Sequence, residues 1–200
     1  RLFIMGGSDA SGESLDSVEV YDLARPGAWS LLAPMQHECA YACAAVGHNS
    51  MIYVFGGMLG SGQPDPSVER FDPCSQTWTL LPPGVVVPPE FGRSAVATRD
   101  GKILLVGLWT GNPSNRVDRF DPTTETLTAW YALGEAKSTT QTVLLKDGRI
   151  MAIGGVTFGP SAVATVELHP APCRADYNND GFKSIADFGA FQTGYVLPCP

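Results

Sequence analysis

The sequence predicts an all-β fold, and three observations carry that prediction: a recurring motif, an abundance of turn formers, and apolar runs no longer than a strand. Ile4-Met5-Gly6-Gly7 returns as Val54-Phe55-Gly56-Gly57, as Leu105-Val106-Gly107 and as Ala152-Ile153-Gly154-Gly155, with steps of 50, 51 and 47 between the first glycines. Twenty-two Gly and 16 Pro, set among many Val, Thr and aromatic residues, read as short strands joined by tight turns. The longest apolar runs, such as Val85 to Val87 or Ile103 to Val106, fall far short of the roughly 20 residues a spanning helix requires. A net charge of −7 without clustered Lys and Arg argues against a nucleic-acid surface, because phosphate binding needs concentrated positive charge.

Each unit offers four short strands in order. The first two resemble Ser94 to Thr98 and Lys102 to Val106, joined by Asp100-Gly101, with Asp147-Gly148 in the next unit. An Asp-Gly pair supplies the positive φ angles of a type I′ turn, so these strands are expected to form a hairpin. The glycines ending the second strand let the backbone turn where a Cβ would obstruct it. The third strand is Val18-Glu19-Val20-Tyr21-Asp22, then Val68-Glu69-Arg70-Phe71-Asp72, then Val117-Asp118-Arg119-Phe120-Asp121, with Val166-Glu167-Leu168-His169 as a weaker fourth copy. The fourth strand bears Trp29 or Trp78, while the third unit places Leu127 there and moves its tryptophan to Trp130. Four antiparallel strands per repeat of this length is the arithmetic of a propeller blade, which buries its faces against neighbouring blades.

At these residues the sequence resembles the kelch repeat family: an apolar strand ending in Gly-Gly, an aromatic further on, and a Trp beyond it. The resemblance implies a kelch-type β-propeller over residues 1–172, with about three and a half repeats, because the first unit lacks its opening strand and the fourth its Trp strand. The chain opens inside a strand with no initiator Met and no secretory signal, so both ends read as cut from something longer. Upstream blades complete a ring, or the units stand as an open arc with an unprotected edge. Trp29, Trp78, Tyr21, Phe71 and Phe120 recur with the repeat and are assigned to packing between blades. The loops Leu59 to Pro66 and Trp109 to Ser114 look irregular and differ between units, which makes them the candidate binding surface, with Trp109 as its aromatic.

After Pro170 and Pro172 the composition changes. With Asp176 as position 1, side-chain oxygens fall at positions 1, 3 and 5 (Asp176, Asn178, Asp180), a glycine at 6 (Gly181), a backbone carbonyl at 7 (Phe182), Ser184 at 9 and Asp187 at 12. A hard cation takes six to eight oxygens, and the glycine bends the loop so that they converge, so calcium is the expected cofactor. Ile185, Phe188, Phe191 and Tyr195 then share one face of a short helix. A calcium loop followed by a helix resembles one half of a dockerin, which defines a second module at 173–200. That resemblance implies docking onto a cohesin-like receptor, with Ile185 and Ala186 where the partner is selected. Lys183 departs from the apolar residue usual at position 8. Cys173 and Cys199 bracket the module, either bridged to each other or paired with cysteines downstream.

Five cysteines favour an oxidising compartment, hence an extracellular or cell-surface location. Cys39 and Cys43 are read as packing thiols too far apart on one strand to bridge, and His37 and His48 as the two ends of that strand. No pair of Tyr and pair of His converges into a copper-radical oxidase site. The function expected is therefore binding rather than catalysis: propeller loops holding a protein or glycan partner, and a calcium-folded module that anchors or docks. The alternative is a fragment of a carbohydrate-active or galactose-oxidase-like enzyme whose catalytic residues lie outside this chain, and a third reading is an adhesive surface protein.

Overall fold

The computed structural model describes residues 1–83, 85, 87, 91–109, 111–157 and 162–169. Every strand there is antiparallel to its neighbours, and no helix occurs among the described residues. The strands form four sheets in chain order. Sheet 1 contains β1 (Leu2–Met5), β2 (Val18–Tyr21) and β3 (Ser30–Leu31). Sheet 2 contains β4 (Cys43–Val46), β5 (Ile52–Phe55), β6 (Val68–Asp72) and β7 (Thr77–Leu80). Sheet 3 contains β8 (Ser94–Ala97), β9 (Ile103–Trp109), β10 (Pro113–Asp121) and β11 (Thr126–Ala132), and sheet 4 contains β12 (Gln141–Leu144), β13 (Ile150–Ile153) and β14 (Val166–His169). Among the described residues, sheet 1 thus starts with the Gly-Gly strand and sheet 4 ends on the acidic one.

The first hairpin forms in sheets 2, 3 and 4, but not through a type I′ turn. Thr98 N–H donates to the Lys102 carbonyl and Gly101 N–H to Thr98, and only Gly101 of the Asp-Gly pair has positive φ, at 83°. This is a three-residue loop, a turn followed by one left-handed residue, which needs a single permissive position instead of two. Leu145 to Arg149 repeats it with Gly148, and Gly47 to Met51 with Ser50 at φ 64°. At the hairpin joining the third and fourth strands the recurring Asp acts as an Asx-turn: Asp22, Asp72 and Asp121 accept the N–H of Ala24, Cys74 and Thr123. Those bonds favour the carboxylate, and the Cys74 N–H above all holds Asp72 below its ordinary range.

Pairing register gives every sheet two faces. In sheet 2 one face carries Ile52, Val54, Glu69 and Phe71, and the other Tyr53, Phe55, Val68 and Arg70. The first kind, here termed the front, meets the preceding sheet: Val54 clusters with Val18 and Met5 of sheet 1, and Phe71 lies edge-on to Phe3, with ring centroids 6.0 Å apart. The back meets the following sheet, where Tyr53 and Phe55 enclose Phe120 with centroids 4.9 and 5.1 Å away and pack on Ile103 and Leu105. The same order recurs next, Leu104, Val106 and Val117 on the back of sheet 3 meeting Ile150 and Ala152 on the front of sheet 4. Strand β4 lies beside β8, and β8 beside β12, so the opening strands of successive sheets line one axis.

Several expectations are corrected by this geometry. Tyr41, at φ 56°, interrupts the chain ahead of β4, so Cys39 and His37 precede the strand, and His48 sits in the turn after it. Cys39, Cys43 and Cys74 are free thiols. Tyr21 and Trp29 pack on each other instead of between sheets, with centroids 5.4 Å apart, and Trp29 is 41% exposed. The module expected at 173–200, with Asp176, Asn178, Asp180, Phe182, Ser184, Ile185, Ala186 and Asp187, lies outside the described residues, as does its boundary.

Candidate functional site

Hairpin connectivity sorts the loops onto two ends. The tight turns at 47–51, 98–102 and 145–149 lie at one end, together with the Asx-turns. The Gly-Gly loops and the linkers into β4, β8 and β12 emerge at the other, which we call the loop end. These Gly-Gly loops are more regular than their sequences suggest. In sheets 1, 2 and 4 a bridge closes each one, Ser8 with Ser14, Met58 with Pro64 and Val156 with Ala162. In sheet 3 no second glycine follows Gly107, and β9 and β10 extend instead, Leu108 pairing with Ser114 and Trp109 with Pro113. Trp109 therefore ends a strand, half-buried and bridged to Phe91, and is not a loop residue.

Gly57, at φ 119°, shows why the second glycine matters. A Cβ there would stand 2.8 Å from the carbonyl oxygen of Ala40, in the linker entering the same sheet. From the other side Gly7 N–H donates to the Cys39 carbonyl at 2.9 Å, so this linker is clasped between two successive Gly-Gly turns.

A second device fixes the linkers, and it was not foreseen: the acidic residue of the third strand. Glu69, 4% exposed, accepts the N–H groups of Gln36 and His37 at 2.8 and 2.9 Å. Glu167 accepts the Gly134 N–H at 2.6 Å and pairs with Lys137 at 2.7 Å, whose side chain is fully buried. Burial raises the Glu167 carboxyl, but the Lys137 ammonium and the Gly134 N–H outweigh it and hold the group below its ordinary value of 4.5. Asp118 is fully buried between Arg93 and Arg116, each 2.7 Å away. The signal was present in the sequence as the invariant acid of Val-acidic-x-aromatic-Asp, but a carboxylate on a strand gives no hint that its acceptors point at another segment's backbone.

Sheet 2 adds a polar cluster. Asp65, 4% exposed, accepts the Ser67 N–H at 2.8 Å and the Ser67 hydroxyl at 2.7 Å, and meets His37 Nδ1 at 2.9 Å. Ser67 Oγ also lies 3.1 Å from the same His37 nitrogen. Serine and carboxylate therefore converge on one ring nitrogen, whereas a hydrolytic triad places them on opposite nitrogens. Cys39 beside this cluster is pushed up to about 12, chiefly by burial and further by the charges of Glu69 and Asp65. Burial likewise pushes Cys43 up to about 12, which keeps both thiols protonated and unreactive at neutral pH. Among the described residues no group of three or more His, Cys, Asp or Glu is placed to hold a metal ion.

The exposed part of the loop end is acidic across sheets 1 and 2. Asp9, Glu13, Asp16 and Glu38 are all exposed there. Ser14 Oγ of the sheet 1 loop donates to the Met58 carbonyl of the sheet 2 loop at 2.9 Å, and Gly60 N–H of the sheet 2 loop donates to Glu38, in the linker into β4, at 3.1 Å. The opposite end is mixed in charge, with ion pairs Arg70–Glu125, Lys102–Asp121, Arg119–Asp100 and Arg149–Asp147.

Comparison with known proteins agrees with this architecture. Residues 1–36 and 39–84 match the Kelch motif, one segment for sheet 1 with its linker and one for sheet 2. Kelch-like protein 34 of Homo sapiens is 31% identical over 111 residues, 54% of this chain and 17% of that protein. Alpha-scruin of Limulus polyphemus is 31% identical over 113 residues, 54% of this chain and 12% of its own length, and F-box protein AFR of Arabidopsis thaliana 30% over 81 residues, 40% and 20%. The chain thus spans at most a fifth of the length of these relatives. They overturn the expectation of an extracellular or cell-surface location, since these relatives are intracellular cytoskeletal or cytoplasmic proteins. Among the described residues Cys39, Cys43 and Cys74 are free, so these three give that location no disulfide. The Kelch motif over sheets 1 and 2, whose strand order sheets 3 and 4 repeat, supports a kelch-repeat β-propeller segment.

Proposed function

We propose that this chain is a protein-interaction scaffold whose partner docks across the loop end of sheets 1 and 2 and presents Lys and Arg to it. The observation that carries this reading is the exposed group of Asp9, Glu13 and Asp16 on the sheet 1 loop and Glu38 on the linker into β4, both segments hydrogen-bonded to the Gly-Gly loop of sheet 2. Loops held in place lose little conformational freedom on binding, and a one-signed surface steers an oppositely charged partner. The Kelch motif and the kelch-like relatives favour binding over catalysis, and a half-buried Trp109 offers no open platform for a sugar.

The test compares proteins retained by immobilised wild-type chain with those retained by Glu13→Lys, Glu38→Lys and by Asp147→Lys at the opposite end. A partner whose affinity falls tenfold or more with the first pair and is unchanged by the second supports the reading. Binding indifferent to the loop-end substitutions would refute it.

The oxygen spacing from Asp176 to Asp187 supports a further part of the proposal, one bound calcium ion held by Asp176, Asn178, Asp180, the Phe182 carbonyl, Ser184 and Asp187. Its finer form has Ile185 and Ala186 contacting a cohesin-like receptor. Calorimetric titration of calcium into chelator-stripped chain is expected to give one saturable site, lost in Asp176→Ala, Asp180→Ala. Absence of heat in the wild type removes both the ion and the docking role.

A further inference from the structure

His37 stands where the acidic surface meets the buried polar cluster of sheet 2. Its side chain is 37% exposed, and that of its partner Asp65 is 5% exposed. The bonds around Asp65 place the ring proton. A carboxylate only accepts, and the Ser67 hydroxyl gives its single hydrogen to Asp65 at 2.7 Å. The contact of His37 Nδ1 with Asp65 at 2.9 Å therefore requires a hydrogen on Nδ1. The neutral ring then keeps its lone pair on Nε2, and protonation there adds a charge without breaking a bond. The same place in sheet 4 holds Glu135, which accepts the Thr165 hydroxyl at 2.8 Å, so one unit carries a base where another carries an acid.

Among the described residues, the ring is the one group at the loop end of sheets 1 and 2 able to become positive. Residues 2–69 contain a single Lys or Arg, Arg25, and it lies in the turn at the opposite end. The groups facing His37 are acidic or uncharged. Asp65 comes from the segment before β6, and Glu69 of β6 accepts the His37 N–H at 2.9 Å. Cys39, on the same linker, is a thiol pushed up to about 12 and so uncharged. Sheet 1 adds Asp9, Glu13 and Asp16. Glu38 is the next residue along the chain, with Cα atoms about 3.8 Å apart, and it accepts the Gly60 N–H on the loop that leads to Asp65. A charge on His37 is thus added to the surface that Glu38 belongs to, since salt screens charges only beyond about 8 Å.

We propose that His37 is a pH switch on the acidic docking surface: its protonation sets a positive charge beside Glu38 and weakens the hold on a partner that presents Lys or Arg. The switch rests on that surface being the docking site. Carboxylates ordinarily ionise near about pH 4 and lysine ammonium groups near about pH 10, whereas imidazole changes charge between about pH 5 and 8. Acidification across that window therefore turns the switch while the acids and the partner's lysines stay charged.

Calorimetric titration with N-acetylated hexalysine amide at low ionic strength, at about pH 8 and about pH 5.5, tests the proposal. Wild-type affinity is expected to fall about threefold or more at the lower pH. In His37→Asn, whose amide N–H takes the place of Nδ1–H, the two affinities should agree. His37→Lys, charged throughout, should bind weakly at both, and this second variant keeps the test open should the first not fold. His48→Asn, in a turn at the opposite end, should behave as the wild type. A fall that persists in His37→Asn overturns the switch and leaves the acidic docking surface standing. So does wild-type binding that ignores pH yet is lost in Glu13→Lys, Glu38→Lys. No binding at either pH, or binding indifferent to the glutamate substitutions, removes the surface and the switch together.

Discussion

Phe120 and Tyr21 hold the same position in the repeat, yet their surroundings have little in common. Phe120 in sheet 3 is fully buried against Tyr53 and Phe55 of sheet 2. Tyr21 in sheet 1 is half-buried and leans on Trp29 of its own sheet. The comparison extends to the carboxylate two residues earlier: Asp118 is sealed between two arginines, while Glu19 stands half-exposed. The repeat thus specifies a side chain fit for an interface, and the neighbouring sheet decides whether that interface exists. Stability should accordingly be concentrated where sheets 2, 3 and 4 meet.

The largest expected effect breaks the comparison at its aromatic. Phe120→Ala removes a ring enclosed on both sides and should cost about 3–5 kcal/mol in urea unfolding, whereas Tyr21→Ala should cost less than half as much. Equal losses would show that sheet 1 is as tightly packed as sheet 3. Next comes Asp118→Ala, which takes away the carboxylate partner of an arginine whose side chain is 3% exposed. Breaking such a buried pair costs about 3–5 kcal/mol, and Glu19→Ala at the open face should stay within about 0.5 kcal/mol.

A smaller effect is expected at the turns. Gly57→Ala pushes a methyl to 2.8 Å from the Ala40 carbonyl at a strained φ and should cost about 1–3 kcal/mol by thermal melting. Gly12, at φ 89° with open space around it, should cost less when changed to Ala, because strain acts there without a clash. The smallest effect depends on pH. The folded Glu167 carboxyl is held below 4.5, so its contribution is fully present above that value and lost as pH falls through the folded pKa. Melting temperature against pH from 3 to 6 should therefore be shallower for Glu167→Gln than for the wild type. Identical profiles would mean that Lys137 and Gly134 are satisfied in another way.

Much of the fold was legible because a repeat multiplies weak signals. One Gly-Gly says little, but its return with a Val-acidic-x-aromatic-Asp strand at similar spacing located three strands of every unit. The turns were misread where local chemistry admits two solutions, since Asp-Gly suits both a two-residue loop and the longer one that forms. The loop end was misread for a different reason. Leu59 to Pro66 looks irregular as a string, yet one bridge gives it the shape of its counterpart in sheet 1 despite different side chains. Trp109 looked like a loop aromatic because the length of β9 and β10 depends on the missing second glycine after Gly107, a backbone effect.

The sequence by itself determined the strand order, the turn positions and the alternation that gives each sheet two apolar faces, because these follow from periodicity and from the conformational limits of Gly and Asp. Tertiary packing set which face meets which sheet and that Glu69, Asp118 and Glu167 hold the linkers. Those facts depend on segments distant in the chain arriving at one place, and no local pattern encodes that arrival.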